Sequence, residues 1–353
     1  MKRVIFQSIC RIDKKNMLDY LLDFPLQCRM AKEYAAQIKI NLYKKDFNKV
    51  VFLGMGGSAI GGEFIKSYLY NEIDVPILVL REYDLAQFID KYSLVFVLSY
   101  SGDTEETLSA YDQAKRRDST IIAISSGGRL KDICLNDGTT FIPIPSGFPP
   151  RAALGYLGIL PLGILERLGM IKKREYEYEE MFSVLEELKK RSLHPMIAKS
   201  QNIAKYIAYK IYQKLPLIYT ASLNFEVVAM RFRAQINENA KSLALSNLFP
   251  EMNHNEIQGF INLKNVFKHL VAIFLKDNQL HPRVKKRIEI TEQILRDKGV
   301  PVFEIFSLGR YLLTRIFSLI YIGDFISFYL ALLYKTDPTP VETISYLKER
   351  LKE

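Results

Sequence analysis

Val50-Val51-Phe52-Leu53-Gly54-Met55-Gly56-Gly57-Ser58-Ala59-Ile60-Gly61-Gly62 is the stretch from which the fold is read. A short apolar, β-favouring run gives way to a glycine-rich turn, and a helix is expected to follow over residues 61–70. Glycines let a backbone turn tightly and approach a ligand, and the free amides at a helix start can hold an anion. Taken alone the turn is a weak sign, because dinucleotide-binding folds use one too. A tight packing turn is the plain alternative. The Gly-x-x-x-x-Gly-Lys-Ser/Thr phosphate loop is absent, and Glu82 is at best a loose candidate for the acidic residue of a dinucleotide site.

Outward from this stretch the same rhythm recurs. Strands are expected at 76–80, 94–99, 120–125 and 141–144, with helices at 105–116 and, briefly, after Gly127-Gly128. Strand–turn–helix at this spacing implies parallel strands with crossover helices, and ligands that bind beyond the strands' carboxyl ends. Residues 143–150 are rich in Pro, Gly and Ser and read as a loop leaving this region. Helical patterns follow at 154–168 and 175–190. A second alternation then gives strands at 215–220, 270–275 and 302–306 and helices at 224–239 and 283–298, closed by an amphipathic helix over 341–352. The fold class is therefore α/β, with two tandem domains, each a mainly parallel sheet flanked by helices. The expected division is a helical segment over 1–45, a first domain over 46–150, linking helices over 151–195 and a second domain over 196–353.

The composition agrees. A chain of 353 residues is too long for one comfortable core, and its 48% of apolar residues argue against disorder. The net charge of +10 permits an acidic partner, but the basic residues are spread and mixed with acids. Even Lys285-Lys286-Arg287, beside Glu289 and Glu292, reads as a solvated helix face, so no nucleic-acid partner is expected. Three separated cysteines, Cys10, Cys28 and Cys134, fit a reducing compartment, and the four histidines show no metal-ligand spacing. The N-terminus has no apolar run of signal length. The apolar run over 316–334 is interrupted by Asp324, Ser318 and Ser327, which favours a buried helix over a membrane span. A cytoplasmic protein with no membrane partner is expected.

A second cluster, Ser99-Tyr100-Ser101-Gly102-Asp103-Thr104, also stands between a strand and a helix. Three hydroxyls and several helix-start amides can wrap a phosphate without Lys or Arg. Helix capping by Thr104 is the competing explanation, but capping needs one hydroxyl and not three.

Together with Gly56-Gly57-Ser58, the run from Ser99 to Thr107 resembles the sugar isomerase (SIS) domain family. Pro150-Arg151-Ala152-Ala153-Leu154-Gly155-Tyr156, Asn237-Glu238-Asn239-Ala240-Lys241, Asn253-His254-Asn255-Glu256 and Asp337-Pro338-Thr339-Pro340-Val341 with Leu347-Lys348 narrow the resemblance. They are similar to the bifunctional phosphoglucose/phosphomannose isomerases, in order from about residue 50 to the end.

The resemblance implies roles. Gly56, Gly57, Ser58, Ser99, Ser101 and Thr104 would bind the phosphate of a hexose 6-phosphate. Glu238 would carry a proton between C1 and C2, and Arg151 would stabilise the enediolate. His254 would help open the ring, reaching in from the neighbouring subunit of a homodimer, with Lys348 assisting; Lys335 competes for that last role. The site would lie at the domain junction and the dimer interface. The chemistry is sound in its own terms: a carboxylate can abstract the proton beside a carbonyl, a cation can hold the negative oxygen, and histidine titrates near neutrality. No metal or redox cofactor is required. Each residue has a plainer reading: Glu238 and Lys348 as surface charges, His254 and Arg151 as loop residues. One departure stands out, since the family usually carries Asn where this chain has Asp103: either Asp103 faces away, toward the helix N-terminus, or its negative charge weakens phosphate binding. Two competitors exist. A non-catalytic sugar-phosphate regulator would need no base, and a glucosamine 6-phosphate synthase would need an N-terminal glutaminase domain.

Overall fold

The computed structural model describes residues 9–39 and 47–351. The chain divides into two compact units, one formed by residues 23–182 and the other by residues 1–22 with 183–353.

In the first unit five parallel strands, β1 (Lys49–Leu53), β2 (Ile77–Leu80), β3 (Ser93–Leu98), β4 (Thr120–Ser125) and β5 (Thr140–Pro143), lie in the order β2-β1-β3-β4-β5. β3 and β4 are buried along their whole length, as the unbroken apolar runs require in a sheet covered on both faces. The order reverses between β1 and β3, and a parallel sheet opens a crevice at such a point. The helix after β1 starts earlier than the glycines imply. It runs Gly56–Leu69, so Gly61 lies inside it. A Cβ on Gly61 would stand 2.0 Å from the Leu157 carbonyl oxygen, so this glycine serves close packing and not a turn.

The second unit holds β6 (Leu215–Ala221), β7 (Leu245–Phe249), β8 (Leu270–Lys276) and β9 (Val302–Phe306), all parallel, in the order β7-β6-β8-β9. This repeats the first four positions of the other sheet, with the reversal between β6 and β8. β7 is an element that periodicity does not reveal: it is an edge strand carrying Ser246 and Asn247. The helix Ile203–Ile211, capped by the Asn202 side chain accepting from the Lys205 amide at 3.0 Å, also goes unread in the sequence.

The apolar run near the C-terminus forms the helix Leu312–Leu333. It is the one helix among the described residues long and apolar enough to cross a membrane, yet 89% of its most apolar window is buried. Every residue from Leu313 to Ala331 is buried, which is the environment an all-round apolar helix demands. The Tyr321 hydroxyl donates to the Leu21 carbonyl at 2.8 Å and ties the Met17–Leu22 helix to it.

Candidate active site

In the first unit the ends of β1 and β3 hold the two predicted clusters side by side. The Tyr100 amide donates to Ser58 Oγ at 3.1 Å, which joins the turn after β3 to the helix after β1. Ser99 Oγ donates to Thr104 Oγ1 at 3.1 Å and accepts from the Gly102 amide at 3.2 Å. Ser101 Oγ accepts from the Asp103 amide at 3.3 Å. Thr104 occupies the N-cap position of the Glu105–Arg116 helix, but its hydroxyl faces Ser99, and among the described residues it makes no cap bond to that helix. The capping explanation for the hydroxyl cluster therefore fails. Gly102 has φ +76°, and a Cβ on it would stand 1.9 Å from the Gly127 carbonyl oxygen, so only glycine closes this loop.

Arg151 comes to the same place. Pro150–Ala152 forms a 3-10 turn, and the Arg151 side chain is buried, with 4% exposed. A Cβ on Gly57 would lie 2.9 Å from both Arg151 N and Arg151 Cα, so the arginine's backbone rests directly on the Gly56–Ser58 turn. The buried Gln27 amide brackets this segment, donating to the Ala152 carbonyl at 2.9 Å and accepting from the Gly155 amide at 2.7 Å. Nothing in the sequence marks Gln27, because its partners are backbone groups. Gly56, Gly57, Ser58, Ser99, Ser101 and Thr104 are thus gathered at one switch point, with hydroxyls and helix starts, and the backbone of Arg151 is seated against Gly57. Such a set can take up a doubly charged phosphate.

In the second unit Glu238 lies in the last turn of the Glu226–Ala240 helix, half-buried. A buried polar ladder sets the rotation of that helix. Arg231 donates to Asp324 through Nε at 3.0 Å and Nη2 at 2.7 Å, Gln235 donates to the same carboxylate at 2.9 Å, and Asn239 donates to Ser327 Oγ at 2.9 Å. Positions 231, 235 and 239 recur every four residues on one face, so Glu238 is turned to the rim of that face. Lys241 ends the helix in the left-handed region at φ +52°. Its ammonium donates to the carbonyls of Glu238 at 2.7 Å, Asp337 at 3.0 Å and Pro338 at 3.0 Å. Glu238, Lys241, Asp337 and Pro340 line a cleft of about 540 Å³.

The remaining predicted residues stand elsewhere in this unit. His254 is exposed at the end of the Glu251–His254 turn, outside the residues lining that cleft. The turn is held on both sides. Asn253 Nδ2 donates to Thr291 Oγ1 at 2.9 Å, and the Glu256 carboxylate accepts from the Tyr219 hydroxyl and from Asn247 Nδ2, both at 2.5 Å. Burial, with the Glu256 charge beside it, pushes the Tyr219 phenol well above its ordinary range. Lys348 lies on the Glu342–Arg350 helix, every residue of which is exposed; the start of that helix lines the cleft, but Lys348 does not. Lys335 is exposed at φ +55° and does not line it either. No group of three His, Cys, Asp or Glu side chains among the described residues is arranged to hold a metal ion.

Comparison with known proteins follows the same division. Residues 41–129 match the SIS domain family, and residues 200–351 match the family described as the bacterial phospho-glucose isomerase C-terminal SIS domain. The chain is 42% identical to a bifunctional phosphoglucose/phosphomannose isomerase of Caldicellulosiruptor bescii, over 96% of this chain and 99% of that one. It is 38% identical to the protein of the same name from Aquifex aeolicus, over 87% and 91%. Among solved structures, a hypothetical protein from Thermus thermophilus superposes with a TM-score of 0.78 at 15% identity, covering 99% of this chain and 94% of that one, which shows a shared fold.

Proposed function

The chain belongs to the bifunctional phosphoglucose/phosphomannose isomerase family, and from that membership we propose how its own residues carry the reaction. It is an aldose–ketose isomerase that interconverts glucose 6-phosphate and mannose 6-phosphate with fructose 6-phosphate. The observation that supports the reading of the site is the seating of the buried Arg151 residue's backbone on Gly57, in the turn that the serine and threonine hydroxyl cluster adjoins.

Ser58, Ser99, Ser101 and Thr104, with the helix starts around Gly56 and Gly57, hold the phosphate. His254, contributed by the neighbouring subunit of a homodimer, and Lys348 open the sugar ring by moving a proton at the ring oxygen. Glu238 then takes the proton from C2 of the open aldose. The C1 carbonyl oxygen becomes the enediolate oxygen that Arg151 stabilises, and Glu238 returns the proton to C1 while the hydroxyl proton passes from O2 to O1. Rotation about C2–C3 in the enediolate lets the reverse reaction reprotonate C2 from either face, so one site yields both aldoses. The phosphorylated substrate and the free cysteines suit the cytoplasm.

The test is conversion of fructose 6-phosphate, with glucose 6-phosphate and mannose 6-phosphate measured separately and Glu238→Gln as the control. Both aldoses from the native protein and neither from the folded variant are expected. Binding of fructose 6-phosphate without turnover by the native protein would mark a regulator instead.

A further inference from the structure

We infer that Tyr100 is a positioning residue, whose hydroxyl holds the loop that delivers Arg151 to the phosphate cradle. This rests on the role of Arg151 given above. Tyr100 is buried, and every polar group it has is engaged by the site's own segments. Its amide donates to Ser58 Oγ, and its carbonyl accepts from the Ser126 amide at 3.0 Å and from Ser126 Oγ at 2.7 Å. These bonds fix the residue itself to β1's helix and to the end of β4. The hydroxyl reaches in another direction. It donates to the Pro145 carbonyl at 3.1 Å and accepts from the Phe148 amide at 2.7 Å.

One oxygen thus closes residues 145–148 into a fixed loop, which includes Ser146 and Gly147, the latter at φ +95°. The loop runs straight into Pro149-Pro150-Arg151, and Arg151 rests on Gly57 with no room for a single carbon atom between them. A shift of the loop therefore moves the guanidinium relative to the cradle. The Tyr100 ring also meets Phe148 edge-on at 6.5 Å, and Phe148 meets Tyr156 at 6.1 Å, so the aromatic packing survives loss of the hydroxyl. Tyr100→Phe removes the two loop bonds and keeps the ring, which separates positioning from folding.

Steady-state kinetics on fructose 6-phosphate would compare the native protein, Tyr100→Phe, Arg151→Lys and the double variant, with inorganic phosphate as a competitive inhibitor. The expected result is a fall in kcat of about tenfold for Tyr100→Phe, since small misplacements of a catalytic group are costly. KM and phosphate inhibition stay within about twofold of native, because the cradle bonds of the Tyr100 backbone remain. The double variant is then no slower than Arg151→Lys alone. The inference is overturned if Tyr100→Phe keeps native kcat while Arg151→Lys is slow, or if the two losses multiply in the double variant. Full activity in Arg151→Lys is a separate outcome: it removes the role of Arg151 and, with it, the purpose assigned to Tyr100.

Discussion

The Asp103 carboxylate accepts a hydrogen bond from the Arg129 amide at 2.9 Å. It faces the start of the Gly128–Asp137 helix, whose N-cap is Gly127 and has no side chain to offer. The neighbouring Gly102 carbonyl takes the next amide, that of Leu130, at 2.9 Å. The loop after β3 therefore caps the helix after β4, and the charge that departs from the family pattern is spent on a helix dipole. Asp103→Asn keeps an acceptor and is expected to change the KM for fructose 6-phosphate by less than about twofold. Asp103→Ala loses the cap and is expected to lower unfolding stability by about 1 kcal/mol in denaturant titration. A large fall in KM for Asp103→Asn would mean that the charge does oppose the phosphate.

Gly57→Ala tests the contact on which the proposed site depends. The added methyl meets Arg151 N and Cα at 2.9 Å, and both are backbone atoms that cannot rotate away. Overpacking of this kind costs about 1–3 kcal/mol, and here the strain falls on the arginine's own backbone. Kinetics should show kcat falling more than tenfold, as about 1 Å of displacement suffices for a loss of order a hundredfold. A variant with native kcat would separate Arg151 from the chemistry.

Glu166 gives the protein a pH dependence away from the site. Burial pushes its carboxyl up to about 7, and Oε1 has no hydrogen-bond partner among the described residues. Between pH 4.5, its ordinary value, and about 7 the folded chain holds a proton that the unfolded chain has released. Stability from this group is thus complete below 4.5 and is lost as pH rises through 7. Glu166→Gln removes the loss. Its thermal midpoint is expected to match the native protein at pH 4.5 and to exceed it at pH 8. Equal midpoints at both pH values would show that the carboxyl titrates normally.

How far the sequence carries this molecule depends on which atoms do the work. The Glu105–Arg116 helix and β4 are legible to the residue, because an unbroken apolar run and acid-first, base-last charges coincide with their ends. β7 is not legible, because an edge strand needs only its inner positions apolar, and Ser246 and Asn247 mask the pattern. The hydroxyls of Ser99 and Thr104 are legible as a cluster since side chains make the bonds. The services of Gln27, Tyr100 and Lys241 are not, because each holds backbone carbonyls or amides, which every residue carries. The direction of Asp103 is hidden for the same reason: its partner is an amide 26 residues away.

Glu256 anchors the turn that presents His254, through Tyr219 on β6 and Asn247 on β7. Glu256→Ala leaves a deeply buried phenol without its acceptor, which costs about 1–3 kcal/mol. Tyr219→Phe removes both the hydroxyl and its need and should cost less. If His254 opens the ring, Glu256→Ala is also expected to lower kcat, read under conditions where the protein is fully folded. Native kcat in folded Glu256→Ala would leave the turn a structural feature only.

Lys241 sets two effects against each other, and their sizes decide the outcome. A non-glycine residue in the left-handed region costs about 1–2 kcal/mol, which glycine would recover at this helix end. The ammonium, however, bonds the carbonyls of Glu238, Asp337 and Pro338. Hydrogen bonds to an exposed charge contribute roughly 0.5–1 kcal/mol each, so Lys241→Gly is expected to be nearly neutral in unfolding titrations. Lys241→Met keeps the strain and loses the bonds, so it should be less stable than either. Activity follows the bonds alone, since they hold the last turn bearing Glu238 against the Asp337-Pro338 segment. Both variants should therefore lose kcat by a similar factor, of order tenfold, despite their different stabilities. If Lys241→Gly instead keeps native kcat, the helix end stays in place without the clamp, and the ladder through Asp324 alone fixes the position of Glu238.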